Sequence, residues 1–378
     1  MSTKKQIYRS GIIFFLANVI AGVLNYLYQI SAGRNLSVQS FSDLNSWIAN
    51  YSVFLAMPGV LQYYSCFHPS SKSTLRLIVT ITCALSVPLL ALWFSIDELL
   101  SSSNAVMIIG LSFVLAWNLG QLQIRMAYSH LAVATFLMAV ARYGLLWLPL
   151  GTPDSLDRYA FAQIGPLVVG LWTTSAFLFR NETKPVPIAE QGWMGPIVLS
   201  LTTAVIPQFD LVLMSHSISA LNYQEFVQAS LFYKAIYFTV FIGAQWILPQ
   251  QILGLSKRTF SVAKILIPGA LVLSGVLAAA SPHLVNFVFH WPTPPDAVLV
   301  FVSCLHTSLL AVLLLKIQEL SSDGRNGDAV LALGSLVLTS SVQMALKLDA
   351  IPYETMAVVI QLVFMGMIMI KERRPVGA

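Results

Sequence analysis

The sequence predicts an all-α polytopic membrane protein of about twelve transmembrane helices, in two six-helix bundles related by a pseudo-two-fold axis along the membrane normal. Three observations predict it: an apolar composition with few charges, a near-continuous series of apolar segments of spanning length, and a match between the two halves of the chain.

Of the 378 residues, 57% are hydrophobic and 10% charged, and the mean hydropathy is +0.75. Those charges are too few to coat a soluble protein of 41.4 kDa, and one aqueous core cannot bury that much apolar surface. Uninterrupted apolar runs such as Leu266 to Ala280 lack the alternation of a transmembrane strand, so the spans are helices.

The spans fall near 10–30, 41–65, 75–95, 104–126, 129–150, 158–180, 194–218, 222–250, 259–280, 296–318, 328–348 and 352–370. The first follows Lys4, Lys5 and Arg9 without a small-residue cleavage site, which predicts a retained first helix and a cytoplasmic N-terminus. Alternating from there places both termini in the cytoplasm, with about 16 Lys and Arg inside and about three outside. The net charge of +5 is then a topology signal and predicts no nucleic-acid partner. A tight turn around Ser129 separates the fourth and fifth spans, and Pro58, Pro166, Pro207 and Pro268 are expected to kink their helices. Cys66, Cys83 and Cys304 show neither CxxC nor Cys/His spacing, so neither a disulfide framework nor a metal site is expected, and no cofactor.

Sliding residues 17–62 along by about 185 positions lays one hairpin over another. Asn25 falls on Asp210, Leu36 on Leu221, Gln39 on Gln224 and Phe41 on Phe226. The longest connection, Asn181 to Trp193 with Pro185 and Pro187, lies at the midpoint and predicts domains 1–185 and 186–378. No extramembranous domain is expected, which argues against an enzyme.

A charge at the centre of a membrane helix costs about 2.5–3.5 kcal/mol, so Arg142, Asp210 and Lys234 are the sharpest functional candidates. Asp210 and Lys234 sit on consecutive helices at depths that allow either a direct ion pair or a place on the transport path. Arg142 has no carboxylate at its depth in its own helix or the next, so its partner must come from another helix or from an anionic substrate. Asn18, Asn25 and Gln29 share one side of the first helix, with Tyr28 among them; this polar side should face protein or water, through interhelical hydrogen bonds or contact with sugar. His306 is a second candidate for ion coupling beside Asp210. Lys347 and Glu354 flank a short outer turn and are expected in solvent, while Trp93, Trp147, Trp193 and Trp291 fall at span ends as interfacial anchors do.

The stretch Pro207-Gln-Phe-Asp210-Leu-Val-Leu, followed by Gln224-Glu-Phe-Val-Gln-Ala229-Ser-Leu-Phe-Tyr-Lys234 and Leu248-Pro249, resembles the polysaccharide flippases of the multidrug, oligosaccharidyl-lipid and polysaccharide exporter (MOP) superfamily. Asp210, Ala229, Lys234 and Pro249 match that family's pattern; Gln224 and Phe226 depart from it, standing where Gly and Tyr are usual. The resemblance implies two six-helix bundles in a V and alternating access. It also implies a transporter of the cell inner membrane that moves a polyprenyl diphosphate-linked oligosaccharide from the cytoplasmic to the outer leaflet for surface polysaccharide assembly. Such a protein would work as a monomer among membrane lipids, with a polysaccharide polymerase as its possible partner. Arg142 and Lys234 would meet the diphosphate, and Asn25, Tyr28, Gln29 and Asp210 would complete the substrate site.

The alternative is a cation-coupled multidrug antiporter of the same superfamily, with Asp210 binding a proton or sodium ion. Such an antiporter should bury an excess of carboxylates, whereas one intramembrane acid stands against two bases in the sequence reading. A polytopic enzyme of polysaccharide synthesis is the third reading, but Asp97, Glu98, Asp154, Asp157 and Asp296 are spread over three loops without pairing.

Overall fold

The computed structural model describes residues 4–67, 102–147, 158–159, 162–180, 193–202, 206–252, 260–291, 293–323 and 325–373. Every regular element among them is helical. We number the α-helices in chain order as α1 (Lys4–Asn35), α2 (Val38–Phe54), α3 (Ala56–Phe67), α4 (Ser102–Ile124), α5 (Tyr128–Leu145), α6 (Ile164–Arg180), α7 (Met194–Ser200), α8 (Ile206–Ser217), α9 (Ala220–Ile252), α10 (Phe260–Leu284), α11 (Ala297–Ser322), α12 (Asn326–Leu346) and α13 (Ala350–Arg373). A π-helical turn, Val285–Phe289, continues α10 and ends at His290, which adopts a left-handed φ of 59°. The expected third span and most of the expected central linker lie outside the described residues.

Among the described residues, four helical segments are long and apolar enough to cross a membrane: Ile12–Asn35, Leu271–Phe289, Ala297–Ser321 and Ala350–Ile368. Large apolar side chains such as Leu16, Val23, Val272, Trp172 and Phe287 are exposed, a pattern that suits contact with lipid tails and not with water.

The chain forms two compact units: Met1–Leu44 with Phe54–Ser200, and Asn45–Val53 with Leu201–Ala378. In the first, α1 packs on α5, α3 on α4, and α6 on both α4 and α5. In the second, α8 packs on α12, α9 on α11, and α13 on both α11 and α12. The internal pairing repeats, as a tandem duplication requires, and the 185-residue offset carries α2 onto α9.

One expected span is broken. The second divides at Leu55 into α2 and α3, and the seventh is described in two parts, α7 and α8, with residues 203–205 between them outside the described residues. Proline explains where helices begin. Pro58, Pro166, Pro196 and Pro352 are each third in their helix and Pro207 second in α8, positions where the backbone nitrogen has no partner inside the helix. The break expected at Pro58 is present, since the span divides at Leu55 next to the Phe54 carbonyl that Pro58 cannot bond; Pro166 and Pro207 stand in the first turns of α6 and α8, and Pro268 lies inside α10. The turn expected at Ser129 falls earlier, at Arg125–Ala127, where Met126 takes a positive φ of 51°.

Close packing fixes the first unit. Gly120 of α4 lies against the Gln62 carbonyl and Ser65 Oγ of α3, so a Cβ there would strike backbone. Buried polar side chains bind helices together: Asn118 donates to Thr174 Oγ1 (3.1 Å) and Ser175 Oγ (2.9 Å), and Gln62 to Gln123 Oε1 (3.1 Å). Cys66 and Cys304 are buried free thiols, as small packing residues are. Trp147 and Trp193 are exposed, but Trp291 is buried and stacked on Phe289 at 4.8 Å, so it is a core residue and not an interfacial anchor.

Candidate functional site

The second unit holds a buried ionisable cluster. Asp210 is the fifth residue of α8, His306 lies nine residues into α11, and Tyr353 and Glu354 occupy the first turns of α13. Helix starts set their heights. Asp296 caps α11, its carboxylate accepting from Val298 N at 2.7 Å, and nine residues at about 1.5 Å each bring His306 some 14 Å along the axis. Pro352 begins α13 and Tyr353 N donates to Asp349 O at 3.0 Å, which puts Tyr353 and Glu354 at the start of the helix face that packs on α11.

There the side chains meet. Tyr353 donates its hydroxyl to Asp210 Oδ1 at 2.5 Å, His306 Nδ1 lies 3.7 Å from Asp210 Oδ2, and the same nitrogen makes a short contact with Glu354 Oε2. His306 and Glu354 are each 1% exposed and Asp210 7%. The Tyr353 ring stands edge-on to the imidazole, centroids 6.4 Å apart at 84°. Glu354 Oε1 and His306 Nε2 are buried without a hydrogen-bond partner. Two carboxylates and one imidazole thus meet in a buried site, where unpaired negative charge is expensive and a cation is drawn in.

One sequence expectation is corrected here, and of the two alternatives open for Asp210 and Lys234 the direct ion pair is not formed. Glu354 is not solvated, because α13 buries the stripe Ala350, Tyr353, Glu354, Ala357, Val358 and Gln361 against its neighbours. Asp210 takes Tyr353 and His306 as partners and not Lys234, which is half-buried on α9 and has no ion pair among the described residues. The buried face of α9 runs through Phe226, Ser230, Tyr233 and Tyr237, and Tyr233 occupies the inward position next to the lysine.

The first unit holds the cationic candidate. Arg142 of α5 donates from Nη1 to Asn25 Oδ1 of α1 at 2.9 Å, so a neutral amide on another helix supplies a partner. Tyr28 lies in the electrostatic reach of Arg142, but its hydroxyl is already committed, donating to the Tyr159 carbonyl at 2.8 Å. Tyr159 in turn accepts from Asn35 Nδ2 at 3.0 Å and donates to the Ser31 carbonyl at 3.1 Å. Gln29 is half-buried and its Oε1 has no partner. Asn25, Tyr28 and Arg142 thus belong to one unit, and Asp210, His306 and Lys234 to the other.

Solved structures share this architecture over nearly the whole chain. An outward-facing multidrug resistance MATE family transporter of the MOP superfamily matches with a TM-score of 0.65 and 13% identity, over 99% of this chain and 100% of that one. A MOP superfamily transporter from Pyrococcus furiosus, described as having a binding pocket of reverse polarity, matches with a TM-score of 0.65 and 12% identity, over 98% of each chain. The eukaryotic MATE transporter AtDTX14 matches with a TM-score of 0.54 and 12% identity, over 94% of this chain and 96% of that one. No protein-family model matches the chain, and no curated protein matches its sequence. At such identities the likeness is one of fold: this chain has the all-α fold of the MATE transporters of the MOP superfamily, whose twelve membrane helices form two bundles.

Proposed function

We propose that the protein is a cation-coupled antiporter of the MOP type and that Asp210, Glu354, His306 and Tyr353 form its ion-coupling site. The observation that carries the reading is the burial of two carboxylates around one imidazole in the second unit. Glu354 raises the count of buried acids among the described residues to two, while Arg142 and Lys234 are only half-buried. The excess of buried acid that separates a cation-coupled antiporter from an anion carrier is thus on the side of the antiporter. Neighbours of the same fold include a multidrug resistance transporter, so amphipathic cations are the first cargo to test. All three solved neighbours are transporters, and no catalytic role is proposed.

The test is reconstitution of the full chain in proteoliposomes, with an imposed proton or sodium gradient and a fluorescent amphipathic cation as cargo. Gradient-driven efflux that is lost in Asp210→Asn and Glu354→Gln supports the assignment. Efflux at wild-type rate in both variants overturns it.

Arg142 favours a second reading, in which the cargo is a polyprenyl diphosphate-linked oligosaccharide flipped across the inner membrane, with both termini cytoplasmic and a polymerase downstream. The Arg142–Asn25 pair beside Tyr28 and Gln29 offers a cation and hydrogen-bonding groups of the kind a sugar diphosphate needs. Deleting the gene and measuring lipid-linked oligosaccharide on the inner leaflet separates the readings. Accumulation that wild type rescues and Arg142→Ala does not selects the flippase; unchanged lipid intermediates select the antiporter.

A further inference from the structure

We infer that Asp210, His306 and Glu354 form a binding site for a first-row transition dication such as Zn²⁺ or Co²⁺, which occupies the coupling site in place of the transported ion. The inference rests on the site assigned above but not on the cargo. One atom from each residue, His306 Nδ1 and a carboxylate oxygen of Asp210 and of Glu354, lies within 4.8 Å of the other two. A metal held at about 2.0–2.2 Å from such ligands sets them roughly 3.3–3.6 Å apart in tetrahedral geometry, and the 3.7 Å between His306 Nδ1 and Asp210 Oδ2 is already close to that. The short His306–Glu354 contact must open and the two carboxylates must lie within the same 4.8 Å, which side-chain movement alone can adjust.

Charge and ligand type select the ion. Two carboxylates and a neutral imidazole carry two negative charges, which a dication cancels and a monovalent ion halves. Sodium and magnesium favour all-oxygen shells, whereas an imidazole ligand favours zinc, cobalt and nickel. Two further groups point to a ligand. Glu354 Oε1 is buried without a partner, a second oxygen of that carboxylate free to bind. The Tyr233 hydroxyl, on a residue 2% exposed on the buried face of α9, is also without a partner. Tyr353 holds Asp210 from the other side, as outer-shell donors hold metal-binding carboxylates.

The test uses the purified full-length protein in detergent, stripped with chelator and dialysed against Zn²⁺ or Co²⁺, with bound metal counted per chain. The expected result is one zinc per chain, the visible absorption of four-coordinate cobalt, and loss of both in His306→Gln and Glu354→Gln, while His283→Ala and His290→Ala keep them. Equal binding in His306→Gln, or no metal on wild-type protein that elutes as a single folded species, overturns the inference. The gradient-driven efflux assay keeps the two claims apart: transport without metal binding sinks this inference alone, and metal binding without ion-driven transport sinks the coupling role alone.

Discussion

Tyr353 and Asp210, separated by 143 positions, are joined through a 2.5 Å hydroxyl–carboxylate bond that pins α13 to the middle of α8. Because the acceptor is a carboxylate in a buried site, this bond belongs to the stronger class of hydrogen bonds.

Tyr353→Phe removes that bond and nothing else of comparable size. The expected loss is about 1.5–3 kcal/mol, read as a lower denaturation midpoint in detergent, together with slower ion-driven transport. An unchanged midpoint would show that the hydroxyl does not hold Asp210.

Glu354→Leu leaves His306 without its nearest carboxylate in a dry site, and the expected cost is about 3–5 kcal/mol. The double variant His306→Leu/Glu354→Leu should recover most of that stability and none of the ion coupling. Denaturant titration and the efflux assay on the same samples separate these effects, and a double variant as unstable as the single one would contradict the pairing.

Arg142→Ala tests the other unit by itself. It should leave efflux of an amphipathic cation within about twofold of wild type, since the coupling cluster is elsewhere, and should weaken handling of a lipid diphosphate by more than about tenfold if that is the cargo. A large fall in cation efflux would place the drug path at Arg142.

Gly120→Ala should destabilise the first unit by about 1–3 kcal/mol, because the new methyl group meets the Gln62 carbonyl and the α3–α4 pair must move apart. Thermal unfolding of that variant against Gly110→Ala, whose Cβ meets nothing within 4 Å, provides the comparison.

Pro166→Ala should change stability by less than about 1 kcal/mol, since the ring sits in the first turn of α6 where no helical donor is lost. A loss of several kcal/mol would assign the residue a packing role instead.

Much of the helical architecture was legible because spanning length and apolarity are local properties: α1, α4, α9, α11 and α13 all coincide with expected spans. The break within the second span was not, since Leu55 interrupts the helix inside an apolar run. Of the site, Asp210 and His306 stood out as a charge and a titratable ring on apolar helices. Glu354 did not, for its position near a turn suggested solvent. The signal lay in the spacing of Ala350, Tyr353, Ala357 and Val358, which places the glutamate on an i, i+3, i+4, i+7 stripe facing protein. Depth along the axis leaves an Asp210–Lys234 pair open, but rotation about the axis decides it, and Tyr233 holds the inward direction on α9.

The position shared by Asn25 and Asp210 in the two repeats has a history to tell. In one copy it presents an amide to a guanidinium on α5, and in the other a carboxylate to an imidazole on α11 and a phenol on α13. A doubled ancestor would have carried one residue twice and been constrained to one chemistry in both places. Exchanging the two residues, with Asn25→Asp and Asp210→Asn in one chain, would set a carboxylate beside the Arg142 guanidinium and an amide beside Tyr353 and His306, and so move the acid from one unit to the other.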